Sequence, residues 1–213
     1  MNAEKPVVII GAGGHGKVLL DICLVSGRQV AGFLDKDPDL PPKIHGSPVL
    51  GHDDRLNDAA FVASHDFVLG VGDAAIRRTL IGRLDGAKAT AATLIHPSAV
   101  VSELTEIGSG TTIHAGAVIC IDAKIGAHCV INTRASVDHD CVLEDGVQIS
   151  PGATLAGGVT CGRDVFVGTG ASILPGVTVS RNAVVGGGSS AARDVAEDVT
   201  VYGVPARIVR PAR

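Results

Sequence analysis

Tryptophan is absent from this 213-residue chain, which holds only one Tyr and four Phe. A sandwich or a helical bundle normally fills its core with more aromatic surface than that. With 46% hydrophobic against 19% charged residues, the core has to be built from small aliphatic side chains. No apolar stretch reaches about 18 residues, and no charged leader runs into a long apolar segment, so neither a spanning helix nor a secretory leader is expected. An excess of positive charge is missing too. The formal net charge of −4 gives no electrostatic reason to expect nucleic acid or an anionic membrane as a partner. The five cysteines, Cys23, Cys120, Cys129, Cys141 and Cys161, form no C-x-x-C pair, and an odd number cannot all pair within one chain. They read as reduced thiols, and the protein as cytoplasmic.

What the chain does have is a period. From Ile95, every sixth residue is aliphatic or Cys through Val185: Ile95, Val101, Ile107, Ile113 and onward to Ile173, Val179 and Val185, sixteen hexads with no insertion. Four places after each lies a small or β-branched residue, from Ala99 and Thr105 to Ala183 and Ser189. Residues six apart on an α-helix point about 240° away from each other, so this period is not helical. Short strands joined by tight turns remain. The position three after each aliphatic residue is often Gly, with Asp122, Asp140, Asp164 and Asn182 among the others, which are residues that tolerate corner geometry. Three hexads closing a triangular turn predict a coil of 18 residues, stacked on its neighbours like parallel strands about 4.8 Å apart. The expected fold of residues 93–213 is a left-handed parallel β-helix with a short C-terminal extension.

Residues 1–92 lack the period and read as a small α/β unit of Rossmann-like βαβ type. Val7–Ile10 is a buried strand, Gly11 to Lys17 a glycine-rich turn, Val18–Val25 a helix, and Val30–Leu34 a second strand ending on Asp35. A further strand over Phe67–Val71 leads into a helical segment with Arg77 and Arg78. The glycines allow a phosphate to approach backbone N–H groups at a helix N-terminus. Gly11-x-Gly13-x-x-Gly16 with Asp35 satisfies the dinucleotide pattern. Fewer than 95 residues precede the first coil, however, so a single nucleotide fits better than NAD. Gly13 and Gly14 are favoured as ligand contacts, and Gly11 is as readily a turn residue.

In order, GAGGHGK, GFLDK, GVGDAAIRR, INTRASVDHDC, ISPGATLAGGV and VYGVPAR resemble the nucleotide-sugar acetyltransferases of bacterial surface-glycan (lipopolysaccharide and O-antigen) synthesis. The likeness is to the branch, including GDP-perosamine N-acetyltransferase, that N-acetylates a 4-amino-4,6-dideoxy sugar on a nucleotide diphosphate. It covers essentially the whole chain, and its most specific part is the triplet His139-Asp140-Cys141. The resemblance implies acetyl-CoA as co-substrate, no metal, His139 as general base and Asp140 as the residue that raises its basicity. It implies nucleotide-sugar contacts at Gly13, Gly14, His15, Asp35 and Lys36, with Asn132 beside the reacting amine. It implies acetyl-CoA contacts at Gln148, Gly157, Thr169 and Gly187; relatives often have His where this chain has Gln148.

The residues themselves support that chemistry. An imidazole titrates near pH 6.5, so its neutral form can take a proton from an attacking amine, and an adjacent carboxylate orients it. One coil away from His139 lies Gly157, which is expected to leave open space for a pantetheine arm. Cys141 falls on an inward position and reads as a small core residue. His114 and His128 do not align with a second histidine at the 18-residue offset, so a zinc site is not expected. A homotrimer with sites in the grooves between side-by-side β-helices is expected, because a single helix offers only flat faces. Two other readings remain: O-acetylation of a sugar hydroxyl, as in the sialic-acid O-acetyltransferases, and a non-catalytic scaffold that binds a nucleotide sugar.

Overall fold

The computed structural model describes residues 4–212, and the chain divides into two compact units between Leu94 and Ile95. In the first, four parallel strands lie in the order β2-β1-β5-β6, where β1 is Val7–Ile10, β2 Val30–Leu34, β5 Asp66–Leu69 and β6 Thr90–Ala91. A two-stranded hairpin, β3 (Lys43–Ile44) with β4 (Ser47–Pro48), follows β2. Side chains alternate across β1 as strand geometry requires. Val7 and Ile9 pack with Leu19, Leu20 and Ile22 of helix α1 (Gly14–Val25). Val8 and Ile10 pack on the other face with Phe61 and Val62 of α2 (Ala59–Ser64) and with Leu80 and Leu84 of α3 (Ala74–Gly86). Burial on both faces explains why β1 is a continuous apolar run rather than an alternating one.

Two boundaries differ from the sequence expectation. Helix α1 starts at Gly14 and not Val18, because the glycines from 14 onward already form its first turn, and only Gly11 to Gly13 make the bend. Strand β5 stops at Leu69, two residues early. A Cβ on Gly70 would come within 2.6 Å of the Gly11 carbonyl oxygen and 2.7 Å of the Gly16 Cα, so the chain there serves the close approach of two loops.

The second unit is the expected left-handed β-helix. From Val100–Val101 to Ser190–Ala191 its strands are two residues long and stack in three parallel sheets, each pair offset by 18 residues, as in Thr112↔Val130, Ser136↔Thr154 and Lys124↔Val142. Both inward positions of each hexad are buried from Ile113 to Val185. Each such Ile, Val or Leu contributes on the order of 1.5–3 kcal/mol by leaving water, so a column of aliphatic side chains replaces the missing aromatic core. At the fifth position hydroxyls and thiols donate to a carbonyl fifteen residues on: Thr111 Oγ1 to Gly126 O at 2.8 Å, Cys129 Sγ to Glu144 O and Cys141 Sγ to Ala156 O, both at 3.2 Å. Cys141 is therefore a core and ladder residue.

From Gly110 to Gly188, the fourth residue of every hexad has a φ between 55° and 75°. Glycine adopts this left-handed conformation freely and Asp or Asn tolerate it, which accounts for the corner composition seen in the sequence. His128 and Arg134 occupy it as well. The ends depart from the pattern. Ile95 is 39% exposed, having a coil on one side only. At the other end Val185 pairs with Val201, a step of 201 − 185 = 16, so the last coil is two residues short. An antiparallel strand, Arg207–Pro211, closes it.

Candidate active site

His139 sits on the corner between the sheet containing Ser136–Val137 and the one containing Val142–Leu143. Its Nδ1 lies 2.7 Å from Asp140 Oδ2. An ionised carboxylate can only accept, so Nδ1 carries the proton and Nε2 keeps its lone pair. The Asp140 hydrogen bond comes first, and the negative charge of Asp138 second, in raising the imidazole above its ordinary value. Asp140 can reach the ring because it occupies the left-handed corner, with φ 59°, and its own N–H bonds to Ile121 O of the preceding coil. Both side chains are exposed, at 56% and 67%, so the pair faces outward as expected.

Gly157 is where the 18-residue step puts it, but the space above it is not open. A Cβ on Gly157 would lie 2.5 Å from His139 Cε1 and 2.6 Å from Nε2. The imidazole itself fills that space, lying over the bare backbone of the next coil. The expected vacancy for a pantetheine arm is corrected accordingly: the missing side chain seats the ring.

The other positions fall elsewhere on the coil. Thr169 and Gly187 are stacked neighbours on the next corner, where Gly188 N donates to Thr169 O at 2.9 Å. Asn132 lies along the same edge, its Oδ1 accepting from Thr133 N at 2.8 Å. Gln148, 7% exposed, stands on the sheet before that edge, between Val130 and Phe166 in the adjoining rungs. Within one chain, then, His139, Asp140 and Gly157 are brought together, and Asn132, Gln148, Thr169 and Gly187 form a separate group. A residue that sequence reasoning passed over is Asp138, which accepts the His139 N–H at 2.8 Å; its place directly before the His-Asp pair was the available signal.

In the α/β unit the glycines divide by role. A Cβ on Gly11 would meet Val71 Cγ2 at 2.7 Å, and one on Gly16 would strike the Gly11 carbonyl, so these two are packing residues. Gly13 and Gly14 have open space where a side chain would be. Gly13 caps α1 without a side-chain acceptor, and a helix N-terminus favours an incoming anion. Asp35 links this loop to the end of β2: Oδ2 accepts from Ala12 N at 2.7 Å and Oδ1 from Asp37 N at 3.0 Å. Asp35 and Lys36 border two clefts. One, of about 190 Å³, has an apolar wall including Ile10, Leu34, Val71 and Ile76; the other, of about 430 Å³, is edged by Pro38, Pro41 and Pro42. Burial, and secondarily the Arg77 guanidinium, lowers the His15 imidazole to about 4. His15 is thus neutral at cellular pH. Arg77, 3% exposed, donates to the carbonyls of Leu69 and Val71 at the end of β5.

A carboxylate-paired imidazole on a hexapeptide coil, in a chain that also carries a glycine-loop α/β unit, defines the class as acyltransferase. Comparison with known proteins narrows it. A family model for the PglD N-terminal domain matches residues 6–84, and one for the bacterial transferase hexapeptide (six repeats) matches residues 122–157. The acetyltransferase domain of PglB from Neisseria gonorrhoeae FA1090 is 32% identical over 97% of this chain and 100% of its own, with a TM-score of 0.91. Perosamine N-acetyltransferase from Caulobacter crescentus, solved as a His-to-Asn mutant with CoA and GDP-perosamine, is 38% identical over 96% of each chain, also at 0.91. The UDP-N-acetylbacillosamine N-acetyltransferase of Bacillus subtilis (strain 168) is 40% identical over 111 residues, a match spanning about half the length of each protein. The chain belongs to the nucleotide-sugar N-acetyltransferases of the left-handed β-helix superfamily. No helix among the described residues is long and apolar enough to cross a membrane.

Proposed function

We propose that this chain transfers the acetyl group of acetyl-CoA to the 4-amino group of a nucleotide-diphosphate-linked 4-amino-4,6-dideoxy sugar in bacterial surface-glycan synthesis, with His139 as general base. The observation that carries the reading is the His139–Asp140 pair, whose tautomer leaves Nε2 as the acceptor. The amine nitrogen attacks the thioester carbonyl, and its proton passes to Nε2 as the N–C bond forms. The C–S bond then breaks, and the imidazolium returns the proton to the departing thiolate. Asp140 stabilises the imidazolium without itself taking the proton. Asp35, Lys36, Gly13, Gly14 and neutral His15 hold the nucleotide sugar; Gln148, Thr169 and Gly187 hold acetyl-CoA, with Gly157 seating the base beside it; Asn132 approaches the amine.

These groups cannot act together within a single β-helix, because His139 and the Asn132–Thr169–Gly187 edge lie on different corners of one coil. Side-by-side packing of three copies brings one corner of each helix toward another corner of its neighbour, and this supports a homotrimer with shared sites. A cytoplasmic location is supported by five cysteines that form no disulfide.

The test is CoA release on a panel of nucleotide-linked amino sugars and their hydroxy counterparts, with product analysis and light scattering. Amide product, from amino sugars only and from a trimer, is the expected result. Ester product would favour O-acetylation, and binding without CoA release would favour a scaffold.

A further inference from the structure

We propose that Asp138 is a positioning residue that holds the main chain of His139 and adds a second negative charge beside the base. The proposal rests on the reading of His139 as general base. Asp138 Oδ1 accepts the His139 N–H at 2.8 Å, while Asp140 holds the ring through Nδ1 at 2.7 Å. The imidazole is therefore gripped twice, once through its backbone and once through its ring. Cys120 is 18 residues before Asp138, beneath it in the stack, and the charge of Asp138 acts on its thiol.

The His139 N–H bond, the largest of the causes, keeps the Asp138 carboxyl below its usual range, so it is ionised wherever the enzyme works. Desolvation first, then the neighbouring Asp138, push the Cys120 thiol up. It remains a thiol and is not a thiolate competing for the thioester. The charged groups acting on the imidazole are Asp138 and Asp140. The flanking coils contribute Ile121 and Gly157 at this height, neither of which titrates.

A purely local role must be separated from this one. Asn132 occupies the same hexad position one repeat earlier and makes the same bond, its Oδ1 accepting from Thr133 N at 2.8 Å. An amide can thus hold this turn without charge, which makes Asp138→Asn the informative change: it keeps the acceptor and removes the charge. Asp138→Ser, also an uncharged short acceptor, serves as a second variant should the first fold poorly.

The experiment is the pH dependence of kcat and kcat/KM for wild type, D138N and D138S, with thermal midpoints and a histidine NMR titration. With the charge removed, midpoint and both KM values should hold, the acid limb should move to lower pH, and plateau kcat should fall by roughly threefold to tenfold. Wild-type pH limb and plateau in a folded D138N or D138S protein would overturn the proposal and leave Asp138 as a turn residue. His139→Asn measured alongside keeps the two questions apart. If that variant retains activity, the general-base reading fails; if it is inactive while D138N is unchanged, only the role of Asp138 fails.

Discussion

Replacing Gly157 by Ala tests the most specific contact in the site. The new Cβ would lie 2.5 Å from His139 Cε1 and 2.6 Å from Nε2, about 1 Å inside the ordinary carbon contact of about 3.5 Å. The Gly157 backbone lies outside the left-handed region, so Ala is conformationally acceptable there. The stack's own bonds, Gly158 N to His139 O at 2.9 Å and Gly176 N to Gly157 O at 3.0 Å, do not involve the side chain. The imidazole has to give way. It is 56% exposed and can swing outward into water, so folding stability should stay within about 1 kcal/mol of wild type, helped by the smaller entropy of unfolded Ala. A shift of about 1 Å breaks the 2.7 Å grip of Asp140 and carries Nε2 off line, and a misplacement of that size costs on the order of 10² in rate. The assay is steady-state CoA release with kcat and both KM values separated, on protein shown by light scattering to assemble like wild type. In a double-mutant cycle, adding Gly157→Ala to His139→Ala should cost nothing more. Retention of more than roughly a tenth of wild-type kcat by the Gly157→Ala single mutant would refute the reasoning. A raised KM for acetyl-CoA at constant kcat would instead mark Gly157 as a coenzyme contact alone.

Four further outcomes are expected. His139→Asn should lower kcat by about 10² to 10⁴ with acetyl-CoA affinity retained, because an amide fills similar space but cannot take the proton; single-turnover and binding measurements separate the two. The kcat/KM profile should rise with pH through a His139 pKa held above its ordinary value, since only the neutral ring is a base. Asp140→Asn should shift that rise to lower pH and cost less than loss of His139, with Asn tolerating the φ of 59° at this corner. Asp35→Ala should raise KM for the nucleotide sugar more than for acetyl-CoA. It should also lower stability by about 1–3 kcal/mol, seen in a denaturant midpoint, because the Ala12 and Asp37 N–H groups lose their shared acceptor; equal effects on both KM values would count against the assignment.

Much of the β-helix was legible in one dimension. A coil closed by local turns of constant length makes residue number equivalent to position. The six-residue step therefore identified the inward residues, the 18-residue step identified vertical neighbours, and the Gly, Asp and Asn corners were assigned from their φ preference alone. The same arithmetic placed His139 outward, Cys141 inward and Gly157 beside His139. Where the period stops, so does this precision: α1 began four residues earlier than expected, and the hairpin of Lys43–Ile44 with Ser47–Pro48 carried no signal strong enough to read.

Side-chain direction was decided only in three dimensions. Knowing that Gly157 adjoins His139 does not say whether the gap holds ligand or imidazole; the rotamer chosen with the Asp140 hydrogen bond fills it with the ring. The Asp35 carboxylate, expected to face the ligand, also ties Ala12 to Asp37, and Asp138 holds the His139 N–H. Gln148 is buried between Val130 and Phe166. The sequence by itself determined the coil, its register and the corner that bears the base, because those follow from local backbone geometry repeated without change. The tertiary structure decided which polar atoms meet, because torsion angles and hydrogen bonds between residues 18 or more apart depend on all their neighbours at once.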